Sequence, residues 1–200
     1  MGMKRHFFTG LWTASAVLLI WFGALPVRAQ AAAPWPLTRL DSVASVRMPY
    51  AGSMNDGEEG EALAAIGLRM YSAPTSDNQF AVVVYTPKPA KELKPGYTLV
   101  INPDRIIAAL LRIPDKQFSK ARLRASYPVA LPTAPGGQGT HQVYSGFDDF
   151  HQLPAKMELT WVIVGPTLYI FSAAYSLPQE KDGAEDLQHF FSTIGFQPTP

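Results

Sequence analysis

The segment Tyr144-Ser145-Gly146-Phe147-Asp148-Asp149-Phe150-His151 sets a hydroxyl, two carboxylates and an imidazole close together along the chain. A serine activated by a histidine, itself oriented by a carboxylate, is the machinery of acyl transfer. Ser145, Asp148, Asp149 and His151 are therefore the candidate catalytic residues. Their spacing argues against that use. Such triads are assembled from distant segments, with the serine on a strained elbow, and no Gly-x-Ser-x-Gly occurs in the chain. Close neighbours in sequence do not easily converge on one point. The plainer reading is a polar connection before a hairpin, with Phe147 and Phe150 turned inward.

His141 and His151 flank the two aspartates and are candidate metal ligands, since imidazole and carboxylate suit zinc and similar ions. The chain has neither a His-x-x-x-His pair nor His-Glu-x-x-His, and His189 reads as a surface residue. It has no cysteine, which excludes disulfides, Cys-ligated zinc, iron–sulfur clusters and a lipid-modified N-terminal cysteine. The acidic turn Asn55–Glu61 lacks the ligand ladder of an EF-hand and reads as a solvated loop. No glycine-rich phosphate loop opens a helix, so no cofactor is expected.

Charge is unevenly placed. Between Lys88 and Arg124 nine bases face three acids, while between His141 and Pro200 two bases face seven acids. Arg105, Arg112, Lys116, Lys120, Arg122 and Arg124 form a candidate basic face for an acidic partner or anionic lipid headgroups. The bland alternative is an ordinary solvated surface. The formal charge of +1 and aromatic residues at core-periodic positions give no footprint for nucleic acid.

The elements that must position these groups read as α+β. Ile66, Leu68 and Met70 alternate with Gly67, Arg69 and Tyr71, as in a strand with one buried face. Phe80–Tyr85 is apolar on both faces, as in a central strand covered twice. Asn102-Pro103-Asp104 starts a mid-chain helix that Pro114 stops. Lys120–Val129 alternates again, with Leu123, Ala125 and Tyr127 against Arg122, Arg124 and Ser126, and Leu131–Gly139 reads as a loop. Met157–Ile163 and Leu168–Tyr175, joined by Gly165-Pro166, form the clearest hairpin. A capping-box spacing from Asp182 to Glu185 opens a last helix that buries Leu187, Phe190, Phe191 and Ile194, with Gly195 as its C′ residue.

The N-terminus is of another kind. Lys4 and Arg5 precede an apolar stretch densest at Ala14–Leu25, then Pro26, then the small-residue site Val27-Arg28-Ala29, with Ala29-Gln30-Ala31 as a second. This is the grammar of a secretory signal peptide over residues 1–29. The alternative is an inner-membrane anchor formed by residues 7–27, which are just long enough to span a bilayer. Residues 30–43 follow as an Ala/Pro-rich tether, and 44–197 as a single domain. Losing Lys4, Arg5 and Arg28 leaves fourteen bases against sixteen acids, a net charge of −2.

The order of elements, with Gly165-Pro166-Thr167-Leu168-Tyr169-Ile170-Phe171 followed by Phe190-Phe191-Ser192-Thr193-Ile194-Gly195-Phe196, resembles the PsbP-like superfamily. There a "G…LY" strand precedes a terminal helix ending in an "F-x-x-S-F" signature. Arg122–Tyr127 and the Pro135-Gly136-Gly137 loop fit its upstream part, and the resemblance spans roughly residues 44–197. The chain departs from the pattern at Thr193 and Ile194, and at Gly139-Thr140. The resemblance implies an α/β/α sandwich on a mostly antiparallel sheet. It also implies a non-enzymatic role, since members include photosystem accessory subunits, a nuclear Ran-binding factor and exported bacterial proteins. The expectation is an exported, periplasmic or secreted accessory domain, without a lipid anchor, that binds an envelope protein or membrane component. The alternative is a secreted hydrolase or metal-dependent enzyme using residues 141–151.

N-terminal sequencing of the exported protein is expected to start at Gln30, or at Ala32 if the second site is used. Mature protein that still begins at Met1 would show an anchor instead.

Overall fold

The structure is a computed structural model and describes residues 34–54, 58–75, 78–88, 103–131, 138–149, 152–177 and 180–197. The signal-like segment, Asn102, Phe150 and His151 lie outside the described residues.

The fold grows from two strands that are apolar on both faces. In β5 (Asn78–Tyr85), Phe80, Val82 and Val84 point one way and Val83 and Tyr85 the other, all at most 2% exposed. In β9 (Thr167–Ser176), Tyr169, Phe171 and Ala173 lie on the first side, which we call the front, and Leu168, Ile170 and Ala174 on the back. The two pair antiparallel at the middle of a seven-stranded sheet, every neighbouring pair of which is antiparallel. Its order is β3 (Ser53–Met54), β4 (Leu68–Pro74), β5, β9, β8 (Leu153–Val164), β7 (Gln138–Asp148) and β6 (Ser119–Ala130). The β8–β9 hairpin turns through Gly165-Pro166, and Gly165 has the positive φ of 57° wanted at the first central position of such a two-residue loop.

Burying apolar faces drives the covering layers, at about 1.5–3 kcal/mol for each large side chain. The back is covered by three short helices, α1 (Glu58–Ala65), α2 (Pro103–Leu110) and α3 (Pro114–Gln117). Leu63, Ile106, Ile107, Leu110, Ile113 and Phe118 pack there on Val83, Tyr85, Met157, Leu159 and Ile170. The front is covered by α4 (Glu180–Ser192) and by a small sheet of order β1 (Leu37–Arg39), β2 (Ala44–Arg47), β10 (Gly195–Phe196). Phe190 is fully buried with its ring 5.1 Å from Phe80, while Phe196 meets Tyr169 and Phe171 edge-on. The result is the expected α+β architecture with a helical layer on each face.

Several local expectations change. The 30–43 tether ends sooner, because β1 pairs with β2, Leu40 is 1% exposed and Trp35 packs edge-on against Phe80. Trp35, Leu40 and Val43 pack on the front core, so residues 34–43 join the domain. The acidic turn continues into helix α1, which the unbroken run Glu61-Ala62-Leu63-Ala64-Ala65 favours. At its end Gly67 takes φ +86°, where a Cβ would lie 1.9 Å from the Thr86 carbonyl oxygen. Pro114 ends one helix but also opens the single turn α3, with its missing N–H at an N-terminal position. Helix α4 already includes Glu180, so Asp182 does not cap it. Gly195 is not left-handed and is not a C′ residue; it pairs with Ser45 in the small sheet, while Thr193 closes the helix through its N–H and hydroxyl on the Phe190 carbonyl.

Asp41 fastens the small sheet to the large one. Its carboxylate accepts hydrogen bonds from the Val43 and Ala44 N–H groups at 2.8 Å and from the Tyr169 hydroxyl at 2.7 Å, and Arg69 lies 3.6 Å away. Burial, then the Asp41 carboxylate, push the Tyr169 phenol well above its ordinary pKa. The neutral phenol is thus favoured in the fold; its stabilisation is complete below about pH 10 and is lost as pH rises toward the folded-state value. Urea midpoints are expected to fall above about pH 10 in the native chain and to fall less in Y169F. Equal alkaline losses in both proteins would show that the Tyr169–Asp41 bond is not their source.

Candidate functional site

On one side of β9, strands β8, β7 and β6 form a wing whose back is covered by α2 and α3 and whose front carries polar side chains from all three strands. Its geometry depends on β6. That strand pairs with β7 through two irregularities, between Ser119 and Arg122 and between Leu123 and Ala125. Lys120, in the first, takes φ +56°, a left-handed conformation uncommon outside glycine. The second inserts Arg124 as an extra residue, and an extra residue exchanges the faces of everything beyond it. Alternation placed Leu123, Ala125 and Tyr127 together; the bulge separates them. Leu123 is opposite Tyr144 on the back, whereas Ala125 opposes Val143 and Tyr127 opposes His141 on the front, alongside Arg122.

A row of side chains crosses the wing on the front face. Arg122 pairs with Ser145, Ser145 with Lys156, and Lys156 with Tyr175. The bulged Arg124 returns to the same row, its Nε donating to Ser145 Oγ at 2.5 Å. The Lys156 ammonium lies 6.0 Å from the centre of the buried Tyr175 ring. Arg122 and Arg124 are exposed, and Ser145 and Lys156 half-buried.

A second cluster lies nearer the centre. His141 is 6% exposed, and each of its ring nitrogens has a partner. Nδ1 is 2.8 Å from Thr160 Oγ1 and Nε2 is 3.2 Å from Glu158 Oε2. Tyr127 tilts over the ring at 5.2 Å, and Phe191 of α4 meets it edge-on at 5.1 Å. His141 thus joins the edge of the front core to the polar wing.

The candidate catalytic residues are distributed differently. Ser145 faces front, next to Arg124. Asp148, three residues along the same regular strand, faces the back and is 8% exposed. Asp149 is exposed beyond the end of β7 and accepts from Ser119 Oγ at 2.8 Å. Ser145 and Asp148 therefore do not meet, and His151 lies outside the described residues. Among the described residues no three His, Asp or Glu side chains gather as a metal site. The six-residue basic face also divides. Arg105, Arg112 and Lys116 belong to the helical back layer, where Arg112 pairs with Asp115 at 3.2 Å, while Lys120, Arg122 and Arg124 belong to β6. Lys156, Tyr127, Glu158 and Thr160 join the wing without having been singled out. Alternation along Ala155–Thr160 puts Lys156 and Glu158 on the face opposite Met157, but only the register brings Lys156 beside Ser145.

Fold and site together define an α+β protein of PsbP-like architecture with an open polar wing. No family model and no curated protein matches the sequence. Solved structures do. Cyanobacterial PsbP (CyanoP) from Synechocystis superimposes over 88% of this chain and 98% of its own, with a TM-score of 0.51 at 9% identity. Lower similarity extends to the Saccharomyces cerevisiae Ran-binding protein Mog1p (TM-score 0.41, 7% identity, 82% of this chain and 97% of that one). It extends also to LpqN, involved in cell envelope biogenesis of Mycobacterium tuberculosis (TM-score 0.37, 10% identity, 87% and 90%). The likeness to CyanoP concerns the fold. Among the described residues no helix is long and apolar enough to cross a membrane.

Thr160→Val leaves His141 Nδ1 buried without its hydroxyl partner, and is expected to cost about 1–3 kcal/mol in urea denaturation. A change within about 0.5 kcal/mol would show that the Thr160 contact does not hold the ring.

Proposed function

We propose that the protein is a non-catalytic binding module of the cell envelope, exported through residues 1–29, which docks an anionic partner on the front of the β6–β8 wing. The observation that carries this reading is the surface of β6. This twelve-residue strand at the end of the sheet exposes Lys120, Arg122 and Arg124 together with Tyr127, which is 47% exposed. Cations steer an anionic partner, and an exposed aromatic ring supplies contact area once it arrives. The separation of Ser145 from Asp148 gives the hydrolase alternative no comparable support. The signal-like N-terminus supports export, and the PsbP-like architecture is compatible with an accessory role.

A photoreactive residue at position 127 is expected to give reproducible adducts in cells, identified by mass spectrometry. The same residue at Ile163, also exposed but on the back face of β8, serves as control. Adducts at 127 should be lost in R122E/R124E and weaken as salt is raised after lysis. No adducts, or the same adducts at both positions, would overturn the docking reading.

A further inference from the structure

We propose that His141 makes docking on the wing sensitive to pH: its protonation neutralises the Glu158 carboxylate beside it and so tightens the hold on an anionic partner in acid. This deepens the docking reading and rests on it, while the switch itself stands on the contacts of one ring. Glu158 is the carboxylate that β6, β7 and β8 present on the front. Strand β6 contains no acid, and Asp148, the acid of β7, faces the back. Asp149 stands beyond the end of β7, engaged by Ser119. Glu158 lies opposite Val143, which lies opposite Ala125. Its row therefore falls between the Arg122–Ser145 row and the Tyr127–His141 row, about 7 Å along the strands from each. At that range a full negative charge offsets the attraction of Arg122 and Arg124 for an anion.

Three elements pack against the His141 ring. Strand β8 brings Glu158 Oε2 to 3.2 Å from Nε2 and Thr160 Oγ1 to 2.8 Å from Nδ1. Strand β6 brings Tyr127, and α4 brings Phe191. The other charged groups of these elements on this face stand farther along: Arg122 and Arg124 on β6, and Lys156 on β8, with its ammonium over Tyr175. His189 of α4 turns instead to Trp35, with ring centres 4.9 Å apart. A carboxylate only accepts, so the neutral ring donates from Nε2 to Glu158 and accepts at Nδ1 from the Thr160 hydroxyl. A protonated ring donates from both nitrogens, and the hydroxyl can turn to accept. Both charge states therefore keep both partners and leave the ring seated between Tyr127 and Phe191. What changes is the charge of the wing. Histidine is the side chain whose charge commonly changes between pH 5 and 8. With a neutral ring the His141–Glu158 pair carries one negative charge, and with a protonated ring it carries none. Affinity for an anion thus rises as pH falls.

The test is a calorimetric titration of the exported protein with a short dextran sulfate at fixed ionic strength, at about pH 5.5 and about pH 8. The sulfate esters of this probe keep their charge throughout that range. Binding is expected to be about three- to tenfold tighter at the lower pH. His141→Gln should bind at both values as weakly as the native protein does at the higher one. Glu158→Gln should bind at the higher pH as tightly as the native protein does at the lower. H151Q and H189Q should keep the native response. Unchanged circular dichroism shows that the variants fold, and should His141→Gln fail to fold, Glu158→Gln carries the test. Equal affinity at the two pH values, or a response that a folded His141→Gln retains, would overturn the switch. Binding that R122E/R124E abolishes but pH does not alter would refute the switch and leave the docking reading standing. Binding that survives undiminished in R122E/R124E would place the anion away from the wing and overturn the docking reading. No binding at either pH would overturn both.

Discussion

The structure depends on one constraint: the two central strands are apolar on both faces. Phe80, Val82 and Val84 cannot be hidden without leaving Val83 and Tyr85 to be hidden on the other side, and β9 repeats the demand beside them. The sheet therefore needs two covers. The back is covered by three short helices. The front is covered by α4 and by strands drawn from both ends of the domain, β1 and β2 from its start and β10 from its finish. There is no disulfide to close this arrangement, since the chain has no cysteine. Asp41 takes part of that work. A single carboxylate organises the β1–β2 turn and holds it to Tyr169 at the centre of the large sheet.

The same constraint explains why one region stays open. Seven strands spaced about 4.8 Å apart span roughly 29 Å. A helix with its side chains is about 10–12 Å across and a three-stranded sheet slightly wider, so the front cover reaches only part of the way. Beyond α4 the front residues become polar: Thr160 and Glu158 on β8, His141 and Ser145 on β7, Arg122 and Arg124 on β6. His141 stands at this boundary, buried by Phe191 and Tyr127 yet hydrogen-bonded on both ring nitrogens. Burying an imidazole at the end of a core requires such partners, because an unmet polar nitrogen costs more than the bond itself contributes.

What the sequence makes legible follows the range of the signal. The two-sided strand at Phe80–Tyr85, the Gly165-Pro166 hairpin and the Phe190 helix are written in local periodicity, and all are present. The small sheet is not, because its strands have two to four residues and its pairing joins opposite ends of the domain. Arg47 N–H, for example, donates to Thr193 across 146 residues. Helix α1 is hidden by its weakly periodic pattern, from which Leu63 enters the back core. At the site, Arg122, Arg124, Ser145 and His141 are conspicuous by type, but their company is not. Lys156 becomes a neighbour of Ser145 only through register. Ser145 and Asp148 look adjacent in the sequence, yet strand alternation sends them to opposite faces.

Strand β6 carries this lesson furthest. A terminal strand exposes unpaired backbone groups, and proteins protect such edges with bulges, charges and proline. This one has all three: two register irregularities, the bases at Lys120, Arg122 and Arg124, and Pro128, which lacks a backbone donor. Those features oppose extension of the sheet by another strand, and two copies of β6 brought side by side would also set cation against cation. The exposed chemistry of the strand is therefore better used through its face than through its edge. The bulge at Arg124 has a second consequence there. By shifting the alternation by one residue it places both arginines and Tyr127 on the face that α4 leaves bare. Without the extra residue, Arg122 and Tyr127 would lie on opposite sides of the sheet. The device that guards the edge is thus also the one that assembles the wing.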